Sequence, residues 1–188
     1  RHPMTKIVQT RIDSYYYGYP VGAAILTSNA GGRSNAMSLA WHTTISLKPL
    51  QYGALVSPQS FSHGLVAESG EFTINFMSIE SAKLIAMIGG SSGREIDKFS
   101  DFQMKSTAGS AVKAPVLNDA YASYECKVID RQTYADHDLF VGKVVAIHWE
   151  ESAFRSDKTL DLDQVSPAMY LGEDQYTSTV HPIHHPRT

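Results

Sequence analysis

Asp136-His137-Asp138 sets two carboxylates around an imidazole, the donor types that a divalent metal takes. Neighbouring residues on a turn point in different directions and seldom converge on one ion, so no metal site is expected there. The histidines of His181-Pro-Ile-His184-His185-Pro can scavenge a transition metal, but a proline-rich tail offers no fixed geometry. Gly89-Gly-Ser-Ser-Gly-Arg94 has the glycines of a phosphate loop without its lysine, and reads as a helix stop followed by a turn. No Gly-x-Gly-x-x-Gly follows a strand, and neither His-Glu-x-x-His nor Gly-x-Ser-x-Gly occurs. Zincin and α/β-hydrolase chemistry therefore lack local support. Cys126 stands alone, so no internal disulfide can form, and it shares a strand face with Tyr124 and Val128 as a small buried apolar residue would.

The elements that must position these groups read as strands with few helices. Val21 to Thr27 is apolar and ends at Ser-Asn-Ala-Gly-Gly, which predicts a hairpin turn near Gly31-Gly32. Asn35 to Ser46 reads as a long, bent second strand, stopped at Leu47-Lys48-Pro49 because proline cannot donate to a central ladder. Gly53 to Ser57 is a third short strand. Ser60 to Gly70 begins with a hydroxyl cap and ends at glycine, as a short helix does. Phe72, Ile74 and Phe76 alternate on one strand face, and Ser78 then opens a helical stretch from Ile79 to Ile88. After an irregular region with Gly109 and Pro115, Ala122 to Arg131 and Leu139 to Trp149 form a hairpin joined by Gln132 to Asp138. About six strands without βαβ alternation predict a mainly β, antiparallel barrel rather than a doubly wound sheet.

The length of 188 residues and an apolar share of 43% suit a single domain spanning residues 1–188, with an ordered core of about 15–174 and irregular ends. A net charge of -3 gives no basic field for a nucleic-acid backbone. No apolar run approaches the roughly 20 residues of a membrane-spanning helix, and no signal-like pattern opens the chain. Arg1-His2-Pro3 ahead of Met4 reads as an appended remnant. With one cysteine and no Asn-x-Ser/Thr site, a cytoplasmic protein is expected.

Tyr19-Pro-Val-Gly-Ala-Ala-Ile-Leu-Thr-Ser28 followed by Asn35-Ala-Met-Ser-Leu-Ala-Trp-His-Thr-Thr-Ile-Ser46 resembles the flavin-binding core of the flavin reductase-like family. Gly70-Glu-Phe-Thr-Ile-Asn75, Ser92-Gly-Arg-Glu-Ile-Asp-Lys-Phe99, Tyr124-Glu-Cys126 and Asp136-His137 through Phe140-Val-Gly142 continue the likeness in order. Tyr15-Tyr-Tyr-Gly-Tyr-Pro20, Asn29-Ala-Gly-Gly-Arg33 and Tyr170-Leu-Gly-Glu173 make the flavoredoxin branch the most similar. The resemblance implies an FMN-binding split barrel, a six-stranded antiparallel Greek-key β-barrel with a few short helices. It also implies a homodimer with FMN at or near the subunit interface. Two departures, Lys48-Pro49-Leu50 in place of an acidic residue with two prolines and Ala135 in place of glycine, bear on loop shape and substrate access.

On that resemblance, the small side chains of Ala36, Ser38 and Ala40 let an isoalloxazine ring approach the backbone of a strand that also carries Asn35 and Met37, with Thr27 on the strand before it. Backbone groups near Thr43, Thr44 and Ser46 suit the ring's polar edge, and Trp41 or His42 can stack or form a polar wall. Ordinary strand packing explains the same residues without a ligand. The FMN phosphate is expected at the helix start near Ser60, with free N–H groups and the hydroxyls of Ser57, Ser60 and Ser62, although the same serines would also merely cap a helix. Lys98 can add positive charge there, or stand as a solvated surface lysine. His137 is the candidate catalytic residue, set to donate to the ring or to a bound nicotinamide, or else a surface turn histidine. The expected reaction moves electrons from NADH or NADPH through FMN to an acceptor: free flavin, ferric iron or a protein. The alternatives are a flavoredoxin-like carrier fed by an electron-transfer protein and a barrel that no longer binds flavin.

Overall fold

The computed structural model describes residues 4–185, so the readings of Arg1-His2-Pro3 and of Pro186 lie outside the described residues. Twelve strands and three α-helices follow in order. They are β1 (Val21–Gly22), β2 (Ala24–Ala30), β3 (Arg33–Leu39), β4 (His42–Leu47), β5 (Leu50–Val56), α1 (Phe61–Ser69), β6 (Glu71–Met77), α2 (Ala82–Gly89) and α3 (Lys98–Asp101). Then come β7 (Ser106–Thr107), β8 (Val116–Leu117), β9 (Ala120–Tyr134), β10 (His137–Trp149), β11 (Met169–Gly172) and β12 (Gln175–Thr177).

The main sheet runs β3-β2-β6-β9-β10-β5-β4, and every pairing in it is antiparallel. Its two edge strands, β3 and β4, are consecutive in the chain and separated only by Ala40 and Trp41. The sheet therefore returns on itself through that bend, and the carbonyl of Trp41 still accepts from Leu55 N–H at 3.0 Å. This corrects the count of six strands: seven segments are present, and six result only if β3 and β4 are taken as one bent strand. The bend was legible because Asn35 to Ser46 carries no breaker. Its sharpness was not, since it depends on β3 pairing with β2 and β4 with β5.

Turn chemistry sets the register. Gly31 and Gly32 take φ of +57° and +80°, the two positive values that a two-residue hairpin between β2 and β3 demands. Ala135 takes φ +49° and lets β9 and β10 close through Ala135-Asp136 alone, so the expected seven-residue link is mostly strand. The stretch expected as one helix from Ile79 begins as a 3-10 turn over Ile79–Ser81 and becomes α-helical only at Ala82. Helix α1 matches its punctuation. Ser60 Oγ accepts from His63 N–H at 3.1 Å, and Gly70 closes the helix at φ +67° with its N–H on the Val66 carbonyl.

Two apolar clusters result. The barrel interior is filled by Leu26, Leu39, Val56, Phe72, Ile74, Cys126 and Phe140, with Val66 of α1 packed into it. The outer face of β2 and β3 is covered by Ile85 and Ile88 of α2, which close over Ala23, Ile25 and Ala36. No helix of the described residues is long and apolar enough to cross a membrane.

Candidate functional site

The N-terminus of α1, the loop after α2 and the edge strand β3 meet around a cavity of about 260 Å³. Ser60, Phe61 and Ser62 supply the helix end; Ser91, Ser92, Gly93 and Arg94 supply the loop; Asn35, Met37, Ser38 and Lys98 complete the lining. The first N–H groups of a helix have no intrahelical partner, so this end carries free donors and a positive dipole. Arg94 Nη1 donates to the Gln59 carbonyl at 2.9 Å, which holds its guanidinium beside the helix end. Arg33 lies over the Phe61 ring at 4.4 Å and donates to the Gly93 carbonyl.

Lys98 is the deepest cation of the site, 4% exposed, and this corrects the reading of it as a solvated lysine. Its Nζ donates to the carbonyls of Ala36 at 2.9 Å and Ile88 at 2.8 Å, which leaves one of three ammonium protons for the cavity it lines. Burial draws its pKa down to about 8, because the charged form loses water. Asn35, 3% exposed, donates to Ser62 Oγ at 2.9 Å and ties β3 to the helix end. A Cβ on Gly93 would run into the Asn35 carboxamide and come within 2.7 Å of the Phe61 ring. Only glycine fits there. Backbone donors, the Ser60 and Ser62 hydroxyls, whose bonds to His63 N–H and Asn35 use them as acceptors, and cations converging on one small concavity are the donor set that a phosphate monoester fits.

A second cavity of about 470 Å³ adjoins the first through Ser38 and Gly89. Ala23, Leu39, Ala40, Ile85 and Ala86 make its apolar side, and Tyr170, Tyr176 and Asp174 of the β11–β12 hairpin form the opposite wall. Ser38 donates to the Ile85 carbonyl, which pins α2 to β3 at the seam. Short side chains on one wall and aromatic ones on the other suit a flat, largely apolar ring system.

The residues expected at the site divide between these cavities and other tasks. Asn35, Met37, Ser38, Ser60, Ser62 and Lys98 line the small cavity, and Ala40 lines the second with Ser38. Ala36 corrects the expectation of a small-residue landing strip: its side chain is fully enclosed under α2, and its carbonyl is occupied by Lys98. Thr27 is likewise fully buried, its hydroxyl donates to the Pro115 carbonyl, and it lines neither cavity. Thr43, Thr44 and Ser46 lie on β4, away from both linings, and the first two are exposed. His42 is locked between Tyr52 OH at 2.7 Å and the Gly22 carbonyl at 2.9 Å, and burial lowers its pKa. Ser57 stays outside the lining and accepts from Gln59 N–H at 3.3 Å. Trp41 donates to Tyr19 OH at 2.7 Å and rests against the His137 ring at 4.7 Å, so His137 faces Trp41 rather than a cavity.

Around Asp136-His137-Asp138 the side chains diverge. Asp136 is exposed, while Asp138 is 2% exposed and accepts from His63, Arg131 and Thr133. Among the described residues no group of three or more His, Cys, Asp or Glu is arranged to hold a metal ion. Arg33, Gly93, Arg94, Tyr170 and Tyr176 were not read as site residues from sequence. The glycine-rich run after α2 was the available signal for Gly93 and Arg94. Tyr170 lay in a stretch matched to the flavoredoxin branch but was given no role, nothing local signals Tyr176, and both reach the site because β11 pairs with β1 and β12.

A family model described as flavin reductase like domain matches residues 16–178. In the solved structures the chain is similar to the FMN-binding protein from Thermus thermophilus with bound 1-cyclohex-2-enone, at a TM-score of 0.86 and 29% identity, covering 98% of this chain and 100% of that one. Its fold is also that of flavoredoxin from Methanosarcina acetivorans, with a TM-score of 0.84, 23% identity and 95% of each chain covered. Among curated relatives it is similar to the NADH-dependent FMN reductase AsuE2 of Streptomyces nodosus subsp. asukaensis, 30% identical over 138 residues, which is 71% of each chain.

Proposed function

The chain belongs to the flavin reductase-like family, and from that premise we propose that it is an FMN-dependent oxidoreductase that takes electrons from NADH or NADPH and delivers them to an acceptor. The observation that carries this reading is the junction at Ser38 and Gly89, where a small cationic cavity opens into a larger one walled by small and aromatic residues. That sequence of polarity suits the phosphate, ribityl chain and ring of FMN. Bound there, FMN supplies hydride acceptance and onward electron transfer. The α1 N-terminus, Arg94 and Lys98 bind and orient the phosphate end. Ser38 and Ala40 let a ring come close to the β3 backbone, and Tyr170 and Tyr176 shield it from water. His42, held uncharged by burial and used up by its two partners, is no proton donor in this scheme.

We further propose a homodimer in the cytoplasm. Val145, Ile147 and Trp149 stand 36%, 49% and 43% exposed along one face of β10, an apolar stripe that a second copy of the chain would cover. The test of the reductase reading is anaerobic stopped-flow mixing of the FMN-loaded protein with NADH and with NADPH. Rapid loss of the flavin absorption bands with either donor is expected. Bands that persist with both contradict the reductase reading and favour a flavoredoxin-like carrier reduced by a protein.

A further inference from the structure

Lys98 is a buried cation without a carboxylate partner. It is 4% exposed, and among the described residues no acid lines its cavity or forms an ion pair with it. Lysines are almost never fully buried unpaired, because an ammonium taken out of water needs a negative group beside it. The surrounding elements offer none. Asp97 caps α3, Arg33 is held on the Gly93 carbonyl, His63 is turned to Asp138, and Arg94 is a second cation of the lining. Glu68, Lys83, Glu95 and Asp101 are exposed. Either an anion enters the cavity or the lysine gives up a proton, and its pKa of about 8 makes the neutral amine a large share of the molecules near that pH.

The amine is also aimed. Its Nζ donates to the carbonyl of Ala36 on β3 at 2.9 Å and to that of Ile88 on α2 at 2.8 Å. A neutral amine keeps two N–H bonds, which these two acceptors take. Its lone pair then stands where the third ammonium proton stood, toward the cavity. The first N–H groups of α1, Ser60, Ser62 and Arg94 are the groups assigned above to a phosphate monoester. A phosphate seated on them brings the carbon it is bonded to through oxygen into the same space of about 260 Å³ as the Lys98 lone pair. In FMN that carbon is unreactive; in an acyl phosphate it is an electrophile.

We propose that Lys98 is a modification site for acyl phosphates, which seat their phosphate in the cationic cavity of the FMN-free protein and transfer their acyl group to Nζ. The Nζ lone pair attacks the acyl carbon and an N–C bond forms. The C–O bond to phosphorus breaks, its electron pair leaves on inorganic phosphate, and the proton lost from nitrogen passes to that phosphate or to water. Nothing is oxidised or reduced. The resulting amide is neutral and longer than the amine, so the cavity loses a cation and the room that the FMN phosphate needs. Acylation therefore sets how much of the protein can load FMN. The inference rests on the phosphate reading of this cavity.

The test mixes acetyl phosphate with the full chain at about pH 8, without FMN and with saturating FMN, and follows each lysine by peptide mass spectrometry. Without FMN, Lys98 should be acetylated at least about tenfold faster than the exposed Lys83 and Lys143, although it is far less accessible. Inorganic phosphate or FMN should slow Lys98 by a similar factor and leave the exposed lysines alone. Acetic anhydride, which has no phosphate to seat, should lose the preference for Lys98. The Lys98 rate should level off above about pH 8, where an exposed lysine still gains. Lys98 acetylated no faster than the exposed lysines, or preferred as strongly by acetic anhydride, overturns the inference. Protection by inorganic phosphate with no binding of FMN overturns the flavin reading alone. FMN that binds yet leaves Lys98 open to acetyl phosphate overturns the shared site.

Discussion

At the scale of single residues, Lys98 makes the sharpest statement. Its folded pKa of about 8 lies below the ordinary lysine value, so the native protein holds fewer protons than the unfolded chain above pH 8. Ligand-free protein should therefore gain stability as pH rises through that window. Phosphate binding needs the charged form, so FMN affinity should fall over the same rise, and Lys98→Met should abolish that dependence in a fluorescence titration. Asp138 gives the same slope at the acid end, for a different reason. His63, then Thr133, hold its carboxyl at about 2 against the cost of burial, with Arg131 assisting. The stability it provides is complete above the ordinary carboxylate range and is lost as pH falls toward 2; Asp138→Asn should flatten this acid limb of a thermal-melt series. Gly142 shows a packing limit. A Cβ there would come within 2.7 Å of Cys126 and 2.8 Å of Phe72, so Gly142→Ala should cost about 1–3 kcal/mol in a denaturant titration. Lys98 and Asp138 show why residue identity was easier to read than residue role. Both lie in segments matched to the family, yet only the tertiary neighbours reveal a buried lysine and a carboxylate turned away from its neighbouring histidine.

At the scale of elements, α1 is where sequence and structure agree most closely, because its limits are written locally in Ser60 and Gly70. Ser60→Ala removes the bond to His63 N–H and should lower stability by about 1 kcal/mol. FMN affinity should fall with it, since the same helix end faces the cationic cavity; paired melts with and without FMN separate the two effects. The β9–β10 hairpin was legible as a pair of strands, whereas its tight turn was not, because alanine at φ +49° is an uncommon choice. Strand β3 was read as a surface for the flavin at Asn35, Ala36, Met37 and Ser38, with Ala40 just beyond it. In a pleated strand alternate residues face opposite sides, and α2 already occupies the side to which Ala36 points. That covering helix could not be placed from periodicity alone.

At the scale of the whole molecule, the site is assembled from chain segments far apart in sequence: β3, the start of α1, the loop after α2 and the β11–β12 hairpin. The barrel supplies the frame, and its closure through the Ala40-Trp41 bend brings β3 to an edge where both cavities open. The apolar face of β10 predicts a dimer. Ile147→Lys should shift light scattering from twice the chain mass toward one chain mass, while unchanged mass in the variant would remove β10 from the interface. The central claim, that the cationic cavity seats the FMN phosphate, is tested most directly by titrating FMN into the protein and into Gly93→Ala, followed by flavin fluorescence. One FMN per chain bound by the native protein, with at least about tenfold weaker binding in the variant, is the predicted result. Binding that the added methyl leaves unchanged, or no binding by the native protein, would contradict the account.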